Sequence, residues 1–129
     1  MTDDDMRALA KHFFDAVEQG DVATLRSCYA DDARIWHNTD EAEQTPDENA
    51  ETLSGFVKRI SDRVYANRRV NVFPGGFVQQ HELHGTRQDG ARLTLPACII
   101  CRVENGKVTR LDEYFDSARV AEFRKFAAT

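Results

Sequence analysis

Arg92 to Phe115 reads RLTLPACIICRVENGKVTRLDEYF, two runs rich in β-branched residues set around Asn105-Gly106. Asn-Gly is a strong hairpin signal because both positions tolerate the positive φ of a type I′ turn. The stretch therefore predicts antiparallel strands over Arg92–Glu104 and Val108–Phe115. Working backwards, Asp89-Gly90 supplies another hairpin turn, and Phe77 to Arg87 a further strand. Pro74-Gly75-Gly76 ends a strand containing Arg69-Val70-Asn71-Val72-Phe73. Four consecutive strands joined by tight turns make a meander.

Upstream the period changes. Met6, Leu9, Ala10, Phe13 and Val17 recur at helical spacing over residues 3–19. Thr2 is a fit N-cap, three aspartates suit the positive end of the helix dipole, and Gly20 supplies the stop. Asp21 caps a short helix through Cys28. Tyr29 to Asp32 read as a turn, Ala33 to Asn38 as a short strand, and 39–44 as polar loop. Thr45-Pro46-Asp47-Glu48 combines an N-cap, proline at the first helical position and a capping box. Leu53, Phe56, Val57, Ile60 and Val64 then predict a helix to about Tyr65. Asp116 or Ser117 starts a last helix. Helices, a short strand, a long helix and a meander give an α+β chain with helices covering one face of a curved sheet.

Composition narrows the function classes. The 129 residues are one domain's worth, 1–129, with 41% hydrophobic and 30% charged residues, as in a globular chain. Lys+Arg number 17 against 22 Asp+Glu, a net charge of −5, with no basic cluster; nucleic-acid binding is not expected. No apolar run approaches a membrane span, the start is acidic and three cysteines do not make a disulfide framework, so a cytoplasmic setting is the expectation. GxGxxG, P-loop, GxSxG and HExxH patterns are missing from the chain.

Four groups of residues could carry chemistry. Cys98 and Cys101 have CxxC spacing, but on a strand residues three apart face opposite ways, which favours burial over metal or redox work. The same holds for His81 and His84, so no metal is expected. His37 ends the short strand and could act as a general base or donor near neutral pH, or be an ordinary strand-end histidine. His81 shares a strand face with Phe77, Gln79 and Leu83, and Gln80 and Glu82 the other, so one polar face lines a pocket or stays wet. Glu113 shares a face with Leu111 and Phe115; an apolar setting would suit it to proton transfer, and pairing with an arginine is the alternative.

Tyr29-Ala30-Asp31-Asp32-Ala33-Arg34-Ile35-Trp36-His37-Asn38 resembles the entry to the first strand of nuclear transport factor 2-like proteins. Val103 to Asp116 resembles their closing hairpin, and Gly20-Asp21 falls between the first two helices, so the resemblance spans the chain. This superfamily includes ketosteroid isomerases, SnoaL-like polyketide cyclases and limonene epoxide hydrolases. It implies a cystatin-like cone: three helices on a strongly curved antiparallel sheet, a short C-terminal helix, a largely apolar pocket and a homodimer through the outer sheet face. The isomerase base maps to His37, but its oxyanion donors map to Phe13 and near Cys98, so that route is not expected. Of the epoxide hydrolase set, the last carboxylate maps to Glu113, the Arg-x-Asp pair to Gln80 and Glu82, and the water-holding positions to His37 and Ile35. Its bridging arginine is missing. A His–Glu pocket fits the proton transfers of the cyclases.

The expectation is a cofactor-independent enzyme doing acid–base proton transfer on a small apolar or polycyclic ligand, of isomerase, cyclase or epoxide hydrolase type. His37, Glu113 and His81 are its candidate catalytic residues. Trp36, Asn38, Gln80, Glu82, Tyr29 and Phe13 would hold substrate or shape the cavity. A gapless match turns Gln80 and Glu82 inward and His81 outward; a bulge would reverse that. The alternative is a non-catalytic ligand-binding or dimerisation module of the same fold, with Glu113 tied to an arginine and the cavity closed.

Overall fold

A computed structural model describes residues 1–127. The elements in chain order are α1 (Asp3–Gln19), α2 (Val22–Ser27), β1 (Tyr29–His37), β2 (Glu43–Gln44), α3 (Pro46–Arg59), β3 (Ser61–Phe73), β4 (Gly76–Thr86), β5 (Arg92–Glu104), β6 (Lys107–Phe115) and α4 (Ser117–Arg124). One six-stranded curved sheet in the order β2-β1-β6-β5-β4-β3 carries the helices. Strands β3 to β6 form the expected meander, with Asn105 and Gly106 both at positive φ in its last turn.

The caps form as the sequence predicts. Thr2 and Thr45 each close a capping box, and Gly20 ends α1 at φ 76°. The main core lies between α1 and the sheet. Phe13, Phe14, Leu25, Tyr29, Ile35 and Phe77 are buried there together. A second cluster of Ile60, Leu83, Leu95 and Phe123 lies under α4. Burying each such side chain contributes roughly 1.5–3 kcal/mol.

The structure departs from expectation in three places. Strand β1 runs parallel to β6, so the sheet is mixed rather than wholly antiparallel, and β1 begins at Tyr29, where a turn is predicted. Two residues of the polar loop form β2 against β1. Helix α3 stops at Arg59 and β3 starts at Ser61, not at Arg69. Phe56, Ile60 and Val64 keep helical spacing across this boundary, which misleads the periodicity. Asp62 and Asn67 sit at positive φ, 49° and 55°, beside the two register shifts of β3. Short polar side chains tolerate that conformation, so the strand is bulged and its alternation is broken. Arg63 Nη1 donates to the carbonyls of Val57 (3.1 Å) and Ile60 (2.5 Å), satisfying the end of α3.

Candidate active site

The end of β1 lies beside β6, with His37 and Glu113 directly opposite in the ladder. Their side chains meet: His37 Nε2 is 3.2 Å from Glu113 Oε1, and the two are only 18% and 17% exposed. The imidazole stacks on Phe115 with centroids 5.7 Å apart and planes 15° apart. Asn38 fixes the strand ends. Its Nδ2 donates to the Phe115 carbonyl and its Oδ1 accepts from the Phe115 N–H, each at 3.0 Å. Burial opposes the charged form of His37. The hydrogen bond that His37 donates to Glu113 and the charges of Glu113 and Asp40 outweigh it, so the pKa rises above the ordinary value of 6.5.

His81 lies on the inner face of β4, where Phe77, Gln79, His81 and Leu83 alternate as buried residues. Gln79 is fully buried and its Nε2 is 2.9 Å from His81 Nδ1. An amide nitrogen donates, so Nδ1 accepts and the ring proton sits on Nε2. Phe14 and Tyr65 pack edge-on against the ring at 5.0 and 4.8 Å. Burial in this apolar cage lowers the His81 pKa to about 4, against a smaller opposing pull from Glu113. The ring is therefore neutral at pH 7.

Tyr65 completes the polar set. Glu18 accepts from its backbone N–H at 2.7 Å, and Arg68 ties β3 to Asp15 and Glu18 on α1. Burial, reinforced by Glu113, pushes the phenol pKa up, so the hydroxyl keeps its proton. Among the described residues neither this hydroxyl nor His81 Nε2 has a hydrogen-bond partner.

These groups line one cavity of about 520 Å³ between α3, α4 and the inner sheet face. Its apolar walls include Leu53, Phe56, Leu83, Leu95, Phe115 and Phe123. Ala97 lies between His81 and Phe115 in adjacent ladders, and its single methyl keeps the hollow open there.

His37, Glu113 and His81 thus come together, and the residues expected to bind substrate do not join them. Gln80 and Glu82 point to the opposite face of β4, where Glu82 accepts from Asn67 at 3.2 Å and lies 3.5 Å from His84. The inward placement from a gapless match is corrected; strand alternation fixes His81 inside and its neighbours outside. Trp36 alternates outward from Ile35 and His37 and packs on Tyr114 at 5.3 Å. Phe13 and Tyr29 pack edge to face at 5.6 Å in the core, with the Tyr29 hydroxyl donating to Asn49 Oδ1 at 3.0 Å. Asn38 is occupied by the Phe115 backbone. Cys101 is buried inside and Cys98 lies on the other face, as a strand requires. Among the described residues no cluster of three possible metal ligands occurs.

Tyr65, Arg59 and Arg124 line the cavity and are missed by the sequence reading. Tyr65 lies on β3, where the helical spacing of Phe56, Ile60 and Val64 predicts the end of α3 instead. Gly55, four residues before Arg59 on α3, was the available hint for the arginine.

A family model for the SnoaL-like domain matches residues 10–111. Curated proteins give no match. Solved structures match over nearly the full length. AclR from Streptomyces galilaeus, a candidate hydroxylase, shares 14% identity over 96% of this chain and 98% of its own, with a TM-score of 0.83. A candidate SnoaL-like polyketide cyclase from Shewanella denitrificans shares 13% over 94% and 97%, at 0.78. An NTF2-like protein of unknown function from Burkholderia pseudomallei shares 18% over 100% of both chains, at 0.79. At these identities the likeness is one of fold.

Proposed function

This chain belongs to the SnoaL-like domain family, and on that premise we propose that it is a cofactor-independent enzyme of the isomerase or cyclase type, moving a proton on a small, mostly apolar carbonyl compound. The observation that carries the reading is the His37–Glu113 pair at 3.2 Å against an apolar wall of a cavity that also presents two donors without partners among the described residues. An arginine tied to Glu113 in a filled cavity would have favoured a binding module instead.

The chemistry follows from the charges. Glu113 takes a proton from carbon next to a carbonyl. The bonding pair moves onto the carbonyl oxygen, which accepts from the Tyr65 hydroxyl and the His81 Nε2–H. Neutral donors that need no reorganisation stabilise such an oxyanion well in a water-poor site. Returning the proton to a different carbon gives isomerisation. Attack of the enolate carbon on a second carbonyl gives ring closure. His37 orients the carboxylate and holds the nearby proton. The epoxide hydrolase route is less supported, because the positions that would supply its central pair, Gln80 and Glu82, face the other way.

A substrate-independent test is the base-promoted ring opening of 5-nitrobenzisoxazole, in which a base removes one C–H proton and the N–O bond breaks. Wild-type protein should accelerate it above an equal concentration of free acetate and imidazole. Glu113→Gln should lose most of that acceleration. A wild-type rate equal to the buffer mixture would overturn the reading.

We also propose that the outer sheet face pairs with a second copy. Tyr114 is 46% exposed there and packs edge-on against Trp36. Sedimentation should show a dimer that Tyr114→Asp dissociates; a monomeric wild type would refute this.

A further inference from the structure

The cavity has an electrically asymmetric wall. At one end Thr52 Oγ1 accepts from Gln44 Nε2 at 2.9 Å, and Gln44 on β2 is paired with Ile35, two residues before His37. That fixes this turn of α3 beside the His37 end. Arg59 lies seven residues further along the same helix, about 10 Å away at 1.5 Å per residue. Arg59 and Arg124 both line the cavity.

Arg59 is an unusual cation. Its Nε is buried without a hydrogen-bond partner, and among the described residues neither Arg59 nor Arg124 forms a side-chain hydrogen bond or ion pair. Burial, with repulsion from Arg124 next, lowers the pKa of Arg59. A guanidinium that is half-buried, with its Nε shut off from water and a second, exposed guanidinium nearby, is stabilised when an anion completes it. Of the cavity's three carboxylates, Asp40 and Glu51 are exposed and keep their hydration, and Glu113 is engaged by His37 at the other end. The unmet electrostatic demand is therefore for a negative charge at the arginine end.

A second observation concerns Gly55, in the interior of α3. Glycine there costs about 1 kcal/mol relative to alanine. A Cβ on Gly55 would stand 3.0 Å from Arg59 Nη1, so the missing side chain leaves the guanidinium its place against the helix.

We infer that Arg59, assisted by Arg124, binds a carboxylate of the ligand, so that the substrate is an apolar molecule bearing an acid group about 10 Å from the end that reaches His37. The inference rests on the cavity being the substrate site and adds the ligand's charge and polarity. The carboxylate accepts from the guanidinium, the apolar body lies on Phe56, Leu83 and Phe123, and the reactive carbon reaches Glu113.

Calorimetric titration with 2-naphthylacetate and the uncharged 2-naphthylacetamide tests it. The acid should bind about tenfold or more tightly than the amide, the effect expected of one charge-assisted contact. Arg59→Gln should remove that preference by weakening the acid far more than the amide, and an unchanged urea-unfolding midpoint reports an intact fold. Arg59→Lys should restore part of it, and Gly55→Ala should weaken the acid alone. Equal binding of the two probes by the wild type overturns the inference while leaving the cavity reading in place. Equal weakening of both by Arg59→Gln does the same. Binding of neither probe overturns the anion site, and the ring-opening assay then reports separately on proton transfer.

Discussion

The two faces of β4 hold polar residues in opposite circumstances. Gln79 and His81 point inward with almost no exposure, and the glutamine's second amide atom, Oε1, is left without a partner. Gln80 and Glu82 point outward, and Glu82 reaches Asn67 and His84 near solvent. Buried polar groups are expensive, and the inner pair is half satisfied by design of the site: one imidazole nitrogen accepts from Gln79 and the other is free for a ligand. The outer residues pay no such penalty. Where a strand spends stability on polarity is where its chemistry should be sought.

The sharpest way to break this contrast is to remove the inward carboxylate. Glu113→Gln keeps the shape of the side chain and its contact with His37, and removes the base. Ring opening of 5-nitrobenzisoxazole should fall by about 10²-fold or more, the usual worth of a positioned general base. A loss under threefold in a folded variant would take Glu113 out of the chemistry.

Acid denaturation probes His81. Its folded pKa of about 4 lies below the ordinary 6.5, so the unfolded chain binds the proton first as pH falls. The neutral imidazole's contribution is therefore present above pH 6.5 and lost between 6.5 and about 4. It amounts to about 3 kcal/mol at most. Urea unfolding across this range should show the loss, and His81→Gln should flatten it. A His81→Gln protein that loses as much stability as wild type between pH 7 and pH 4.5 would contradict the buried, neutral ring.

His37 carries the opposite sign. Its raised pKa means that pairing with Glu113 stabilises the fold fully below the ordinary 6.5 and ceases to as pH rises through the higher folded value. The positive charge of the imidazolium also opposes the arrival of a second proton beside it. Ring-opening activity should therefore rise with pH through an inflection above 6.5. His37→Gln should remove that inflection and reduce the plateau about tenfold, less than loss of the base itself.

Much of this was legible in the residues. The Asn105-Gly106 hairpin, the N-cap at Thr2, the capping box at Thr45, and the candidacy of a strand-end histidine and of a glutamate set among apolar neighbours are local signals. What escaped them is non-local. Strand β1 pairs in parallel with β6 across 70 residues of chain, and no turn chemistry announces such a pairing. Tyr65 escaped because Phe56, Ile60 and Val64 continue helical spacing past the true end of α3. Arg59 escaped because a half-buried unpaired cation looks, in sequence, like any helix-surface arginine. The bulges at Asp62 and Asn67 are written in residue type, but which strand face they leave inward depends on the partner's register.

That register gives the smallest effect and the most decisive comparison. A one-residue slip of β4 would exchange its two faces completely. With the register that pairs His81 with Ala97, Gln80→Ala and Glu82→Gln change only outer contacts. Exposed pairs of this kind contribute under about 1 kcal/mol, so both variants should keep ring-opening rates within about twofold of wild type. His81→Gln, one residue away, removes an oxyanion donor and should cost several-fold more. The reverse ranking, with Gln80→Ala damaging activity while His81→Gln spares it, would put the catalytic face on the other side of the sheet. The cavity beneath α3 would then be only a gap in the packing, and the site would have to be sought beside Tyr114 and Cys98.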